Sequence, residues 1–198
     1  MDKDNSISLD DIDEKEIPKI IPAKLINSRV VIFNPLYGSY LYAKMNFFGS
    51  PLGIKKPRAE FYSKPTELSL IEAYYLLQQG KISIFDEEKN KLLKPKHFFE
   101  YAKNKHSMFE DKYKIYKDLR EKGYVVRPAL KFGADFAVYK KGPGIDHSPF
   151  IVQVLPSDTA ISAIDMVRAG RLATSVRKRF VIANPQTKSY YFLKWFKP

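Results

Sequence analysis

The chain has 198 residues, 44% hydrophobic and 14% aromatic, enough to bury a core in one domain or two small ones. Its formal charge is +12, although Asp2, Asp4, Asp10, Asp11, Asp13, Glu14 and Glu16 outweigh Lys3, Lys15 and Lys19 at the start, so the body beyond is more basic still. No cysteine is present, which excludes disulfides, thiolate catalysis and cysteine zinc sites, and no apolar run approaches the roughly 20 residues of a membrane helix.

Such a surplus of cations attracts polyanions in a salt-dependent way, which makes nucleic acid the leading partner class. A lysine-rich surface adapted to heat is the competing explanation, although bases outnumber acids by 34 to 22. The acidic start has neither the basic-then-apolar pattern of a secretory signal nor the Arg-rich one of a transit peptide, so a cytoplasmic protein is expected.

Residues 1–20 read as a mobile acidic tail, since their polar composition cannot offset the entropy of ordering. Arg29–Phe33 and Ser39–Tyr42 are β-rich around the turn-like Asn34-Pro-Leu-Tyr-Gly38, which predicts a hairpin or meander. Phe48 to Pro65, with three prolines, two glycines and the cations Lys55, Lys56, Arg58 and Lys64, reads as an exposed loop. Apolar spacing predicts a helix over 68–77, with Thr66 or Ser69 as N-cap and Gly80 as stop, then a strand over Ile82–Phe85.

Two helices are expected over 95–104 and 107–122, the second stopped by Gly123. Strands follow over Tyr124–Arg127, Lys131–Tyr139 and Phe150–Leu155, then a helix over 159–176 and a closing hairpin of Phe180–Ala183 with Ser189–Trp195. The whole is α+β: after the tail, a small N-terminal mixed α/β domain over 21–108, then a C-terminal domain over 109–198 whose central mixed sheet is flanked by helices.

His97 and His106 lie in or beside helical stretches without ligand-type partners one turn away, and read as structural or exposed. His147 differs, because it follows the loop Gly142-Pro-Gly-Ile-Asp146 at the mouth of a strand and stands eight residues after Tyr139. No metal cage, nucleophile elbow or P-loop can be assembled. What remains is an acid–base set: His147, Tyr139 and the cationic run Arg177-Lys178-Arg179. RNA can be cut by its own 2′-hydroxyl given a base, an acid for the 5′-oxygen and a cation for the phosphorane. Spacing alone leaves an ordinary loop pair open as the alternative.

The runs Lys131-Phe-Gly-Ala-Asp-Phe-Ala-Val-Tyr139, Gly142-Pro-Gly-Ile-Asp-His147-Ser148 and Ser175-Val-Arg-Lys178 resemble the catalytic domain of archaeal tRNA-intron endonucleases. Leu68-Ser-Leu-Ile-Glu-Ala-Tyr-Tyr-Leu76 and Tyr116-Lys-Asp-Leu-Arg-Glu-Lys-Gly-Tyr124 extend the resemblance to residues 24–198. It implies a C-terminal domain of the restriction-endonuclease-like type and a metal-independent, cofactor-free endoribonuclease. Its substrate would be precursor tRNA, cut at bulge-helix-bulge junctions to leave 2′,3′-cyclic phosphate and 5′-hydroxyl ends. In that reading Tyr139 is the general base, His147 the general acid and Lys178 the phosphorane-stabilising cation. Since a free tyrosine has a pKa of about 10, the base needs a nearby cation, for which Lys140, Lys141 and Lys178 are candidates.

The resemblance also implies that Arg171 stacks on an unpaired bulge base. The Ser50–Pro65 loop is similar to a basic insertion of crenarchaeal heterotetrameric enzymes, where Lys55 or Lys56 would contact RNA. The loop Asn184-Pro-Gln-Thr-Lys188 lacks the acids that homotetrameric relatives insert into a neighbour, which implies a second, structural subunit in an α2β2 assembly. Two alternatives are a non-catalytic, RNA-binding structural subunit of the same complex and a Mg²⁺ nuclease using Asp135 and Asp146.

Overall fold

The computed structural model describes residues 14–129, 133–146, 150–156, 158–175 and 178–193, so most of the expected acidic tail lies outside the described residues. Glu14–Glu16 form an exposed 3-10 turn. The chain divides into two compact units between Ser107 and Met108.

The first unit is a six-stranded mixed sheet with three helices. In chain order it comprises β1 (Ile21–Ile26), β2 (Arg29–Ile32), α1 (Pro35–Ala43), β3 (Ser50–Pro51), β4 (Thr66–Leu68), α2 (Leu70–Gln78), β5 (Ile82–Asp86), β6 (Lys91–Leu92) and α3 (Pro95–Lys105). The spatial order is β3-β4-β2-β1-β5-β6, with β5 parallel to β1 and the other pairs antiparallel. Along β1, Ile21, Ala23 and Leu25 are buried and alternate with exposed residues, the period of a half-buried strand. Pro22 is compatible with this internal strand because the β1–β2 register runs only over Lys24–Ile26, beyond its missing N–H.

One expectation is overturned. Ser39–Tyr42 is not a strand but part of α1, which starts where the Asn34 side chain accepts the Leu36 N–H at 2.9 Å and Pro35 fills the first turn. Gly38 is a packing residue of this helix rather than a turn former. A Cβ there would fall 2.3 Å from Thr66 Oγ1, so only glycine lets α1 lie against β4. The helix over α2 is as expected, with Ser69 and Glu72 forming a capping box. Glu72 is almost fully buried and also accepts the Gly49 N–H at 3.2 Å, fixing the start of the basic loop.

In the second unit α4 (Phe109–Glu121) is followed by β7 (Val125–Pro128), β8 (Phe136–Tyr139), β9 (Phe150–Val154), α5 (Ala163–Ser175), β10 (Arg179–Asn184) and β11 (Ser189–Leu193). These form one mixed sheet in the order β11-β10-β9-β8-β7, with β9 and β10 parallel and joined through α5. Mixed sheets accompanied by helices are the α+β class expected from the sequence.

Phe136 stacks obliquely on Tyr116 of α4, with ring centroids 5.8 Å apart, whereas Ala137, Ile151 and Phe180 pack with Ala169, Leu172 and Ala173 of α5. Helix α5 begins later than expected, where the Ser162 hydroxyl accepts the Asp165 N–H at 3.1 Å. Among the described residues no helix is long and apolar enough to cross a membrane.

A polar lock holds the closing hairpin onto α4. The Tyr190 hydroxyl donates to Asp118, Lys122 pairs with the same carboxylate at 2.6 Å, and the Lys122 ammonium lies 4.8 Å from the Tyr190 ring centre. Burial alone would raise the Asp118 pKa, but the bonds from Lys122 and Tyr190 and the charges of Lys122 and Lys188 outweigh it and hold the carboxyl below its usual range. Burial, then Asp118, pushes the Tyr190 phenol upward.

Tyr190→Phe is therefore expected to cost about 1 kcal/mol at neutral pH, measured by urea unfolding. For the depressed carboxyl, the stabilisation is present above its unfolded pKa of about 4 and is lost as the pH falls through the folded value. For the raised phenol it is intact below about pH 10 and is lost as the pH rises toward the folded value. The gap between wild type and variant should close at both extremes.

Candidate active site

Strand register brings the candidate residues to one end of the five-stranded sheet. Val138 pairs with Phe150 across β8 and β9, and Phe150 pairs with Arg179 across β9 and β10. Tyr139, one residue beyond Val138, and Lys178, one residue before Arg179, thus flank the start of β9. His147 lies outside the described residues. The segments on either side of it, ending at Asp146 and resuming at Phe150, belong to this same end of the sheet.

Tyr139 is half-buried and packs against the cluster formed by Ala137, Ile151, Phe180 and Ala169, which it shares with Ala173 of α5. The Lys178 backbone N–H donates to the Ala173 carbonyl at 2.9 Å, so the chain that carries Lys178 is tied to the turn of helix packed beside Tyr139. Lys178 is half-buried as well.

The loop leaving Tyr139 is closed by one carboxylate. Asp146 accepts the backbone N–H groups of Lys140 at 3.0 Å, Lys141 at 3.2 Å and Gly142 at 2.8 Å. The Gly142 carbonyl in turn accepts from Ile145 and Asp146. Gly142 at φ 137 and Gly144 at φ 83 supply backbone that L side chains resist. The position before His147 is thereby fastened to the positions after Tyr139.

Asp135 is likewise committed to structure. It accepts from Gln153 Nε2 at 2.7 Å and the Val154 N–H at 2.8 Å and pairs with Lys112 at 2.9 Å. Among the described residues no group of three or more His, Cys, Asp or Glu side chains could hold a metal ion.

Burial raises the Tyr139 pKa above the usual phenol value, the charge of Arg127 lowers it, and Asp146 raises it. Arg127 is thus a cation that acts on Tyr139, whereas Lys140 and Lys141 are exposed on the loop. Arg127 was missed by sequence reasoning. Its only signal was the strand pattern of Tyr124–Arg127, which becomes informative once the register to β8 is known.

Arg171 stands exposed on α5, seven residues before Lys178. Lys55 and Lys56 are exposed in the other unit, on a loop pinned to α1. Tyr42 donates to the Pro57 carbonyl at 2.9 Å, and the Tyr62 N–H donates to Ser39 Oγ at 2.9 Å. The structure therefore gathers Tyr139 and Lys178, with Arg171 on the same helix that leads to Lys178, and leaves the two loop lysines in a separate unit.

Asp146→Ala would leave three N–H groups without their common acceptor and free the loop. Trypsin cleavage after Lys140 and Lys141 is expected to be about tenfold faster than in the wild type, equivalent to about 1.4 kcal/mol of local opening. Peptide mapping of timed digests measures it.

Comparison with known proteins agrees across both units. Residues 21–99 match the family described as tRNA intron endonuclase, N-terminal domain, and residues 109–191 match tRNA intron endonuclease, catalytic C-terminal domain. The tRNA-splicing endonuclease of Hyperthermus butylicus is 42% identical over 183 residues, 90% of this chain and 100% of the relative. That of Saccharolobus solfataricus is 40% identical, and one from Saccharolobus islandicus 38%, over the same shares. Identity of this extent over the full length of the relatives means that the chain belongs to the tRNA-splicing endonuclease family, and it has both the N-terminal and the catalytic domain.

Proposed function

We propose that this chain is the catalytic subunit of a tRNA-splicing endonuclease that cuts precursor tRNA at bulge-helix-bulge junctions by acid–base chemistry, without a metal ion. The observation that carries the proposal is the convergence of Tyr139, Lys178 and both described flanks of His147 on one sheet end.

In this mechanism the Tyr139 phenolate takes the proton of the 2′-hydroxyl, whose oxygen attacks the adjacent phosphorus. The bond from phosphorus to the 5′-oxygen breaks as His147 donates its proton to that oxygen. Lys178 neutralises the charge that grows on the non-bridging oxygens. The products are a 2′,3′-cyclic phosphate and a 5′-hydroxyl. Arg171, exposed ahead of Lys178, suits stacking on an unpaired base, and Lys55 and Lys56 suit contacts to phosphate.

The closing hairpin loop bears on assembly. Asn184 Oδ1 accepts the N–H groups of Gln186 at 2.9 Å and Thr187 at 3.1 Å, making a compact tip that carries Lys188 and no carboxylate. A second, structural subunit supplies the acidic contact in an α2β2 heterotetramer of the crenarchaeal type, working in the cytoplasm.

Single-turnover cleavage of bulge-helix-bulge RNA should persist in EDTA and disappear when the cut site carries a 2′-deoxy sugar. Tyr139→Phe, His147→Ala and Lys178→Ala should each slow it by about a hundredfold or more. Loss of activity in EDTA, restored by Mg²⁺, would sink the metal-free reading. Sedimentation should show no active tetramer of this chain alone.

Changing both Lys55 and Lys56 to Ala should weaken RNA binding and flatten the dependence of log K on log salt by about one to two units, the signature of two lost phosphate contacts. An unchanged slope would mean that the loop does not touch RNA.

A further inference from the structure

Arg127 sits on β7, next to the strand that ends in Tyr139. In the antiparallel register Val125 faces Tyr139 and Arg127 faces Ala137, so Arg127 and Tyr139 are diagonal neighbours on one face of the sheet. Such pairs stand about 7–8 Å apart at the backbone, within reach of a long side chain. The same face carries Ile151, Phe180 and the packed side of α5. Arg127 is half-buried there, and its guanidinium stays charged at any working pH.

We infer that Arg127 is a further positioning residue of this active site, one that holds a permanent positive charge against Tyr139 and keeps its oxygen available as a proton acceptor. The inference rests on the proposed role of Tyr139 as the base.

The need for such a charge follows from what else surrounds the phenol. Burial disfavours the phenolate, and Asp146, committed by three backbone N–H groups to a position beside the same loop, disfavours it further. An incoming phosphate backbone adds more negative charge. Among the described residues the charged groups on the neighbouring elements are Arg127 on β7, Lys140, Lys141 and Asp146 on the loop, Asp165, Arg168 and Arg171 on α5, Lys178 just beyond it and Arg179 at the start of β10. The loop lysines are exposed, where water and salt screen them, whereas the charge of half-buried Arg127 favours the ionised phenol.

The test is the pH dependence of single-turnover cleavage by the active assembly, with its partner subunit present, comparing wild type, Arg127→Met, Arg127→Lys and Tyr139→Phe. Arg127→Met is expected to slow cleavage on the order of tenfold at neutral pH and to move the rising limb of the profile to higher pH, so that the deficit shrinks as pH rises. Arg127→Lys, which keeps the charge, should restore most of the rate and return the limb toward its wild-type position. Melting curves of the variants report whether each is folded.

An equal loss in Met and Lys variants with an unmoved limb would assign Arg127 to packing or to phosphate contact and overturn the inference. The same holds if Arg127→Met unfolds while Arg127→Lys folds normally but shows no recovery of rate. Tyr139→Phe separates the two claims. If it cleaves at the wild-type rate, the base assignment falls and this inference with it. If it is inactive while the Arg127→Met limb stays in place, only the role of Arg127 falls.

Discussion

Parallel pairing of Phe150 with Arg179 cannot be made by a tight turn, so the chain must leave β9, cross one face of the sheet as α5 and re-enter at the end where β9 began. That single constraint delivers Lys178 to the start of β9. Because β8 runs antiparallel to β9, the same end also receives Tyr139, and the loop between them starts and finishes there. Apolar packing of Ala137, Ile151 and Phe180 under Ala169 makes the crossover pay for itself in buried surface. The residues proposed to carry the chemistry need no packing of their own to meet. They sit at the ends of elements whose ends the sheet has already aligned.

Electrostatics at this sheet end runs against the global charge. A net +12 attracts RNA from a distance, yet burial and a carboxylate on its own loop both disfavour the phenolate of Tyr139. Long-range charge and local charge therefore answer different needs. Exposed lysines are screened over about 10 Å at moderate salt, and they cannot substitute for a half-buried cation on the adjoining strand. Asp146 shows the same division from the other side: its value is mechanical, since three N–H groups converge on it, and its charge is an opposing by-product.

Most of the catalytic half was legible because its signals are local. Gly123 at φ 84 stops α4, and the closing hairpin follows from two β-rich runs around Asn184–Lys188. The Ser69–Glu72 capping box marked α2 in the same way. Three features were not legible, for one common reason. Strand β1 holds Pro22, α1 holds Gly38 and a run of tyrosines that favour strands, and Arg127 looks like any strand-end cation. Each is decided by a partner distant in sequence: β5 for Ile21–Leu25, Thr66 for Gly38, and β8 for Arg127. Tyr139 and Lys178 could be singled out by motif, but the proximity of Arg127 to Tyr139 could be seen only once the strands were in register.

The helical state of Ser39–Tyr42 also determines how the basic loop is held. Had Ser39–Tyr42 been a strand, Tyr42 and Ser39 would point to opposite neighbours and could not share one loop as they do. On α1 they lie three residues apart on one side, so Tyr42 holds the Pro57 carbonyl while Ser39 holds Tyr62. Glu72 anchors the near end at Gly49, and Leu52 donates to Pro65 to close the base. Gly38 lets that helix lie on Thr66, and so it sets where the loop is fastened. A loop fixed at both ends and along its length loses little further entropy when its lysines meet a ligand. Lys55 and Lys56 are exposed at the part of that loop between its anchors, which is where an insertion must present charge if it is to act on a partner rather than on its own fold.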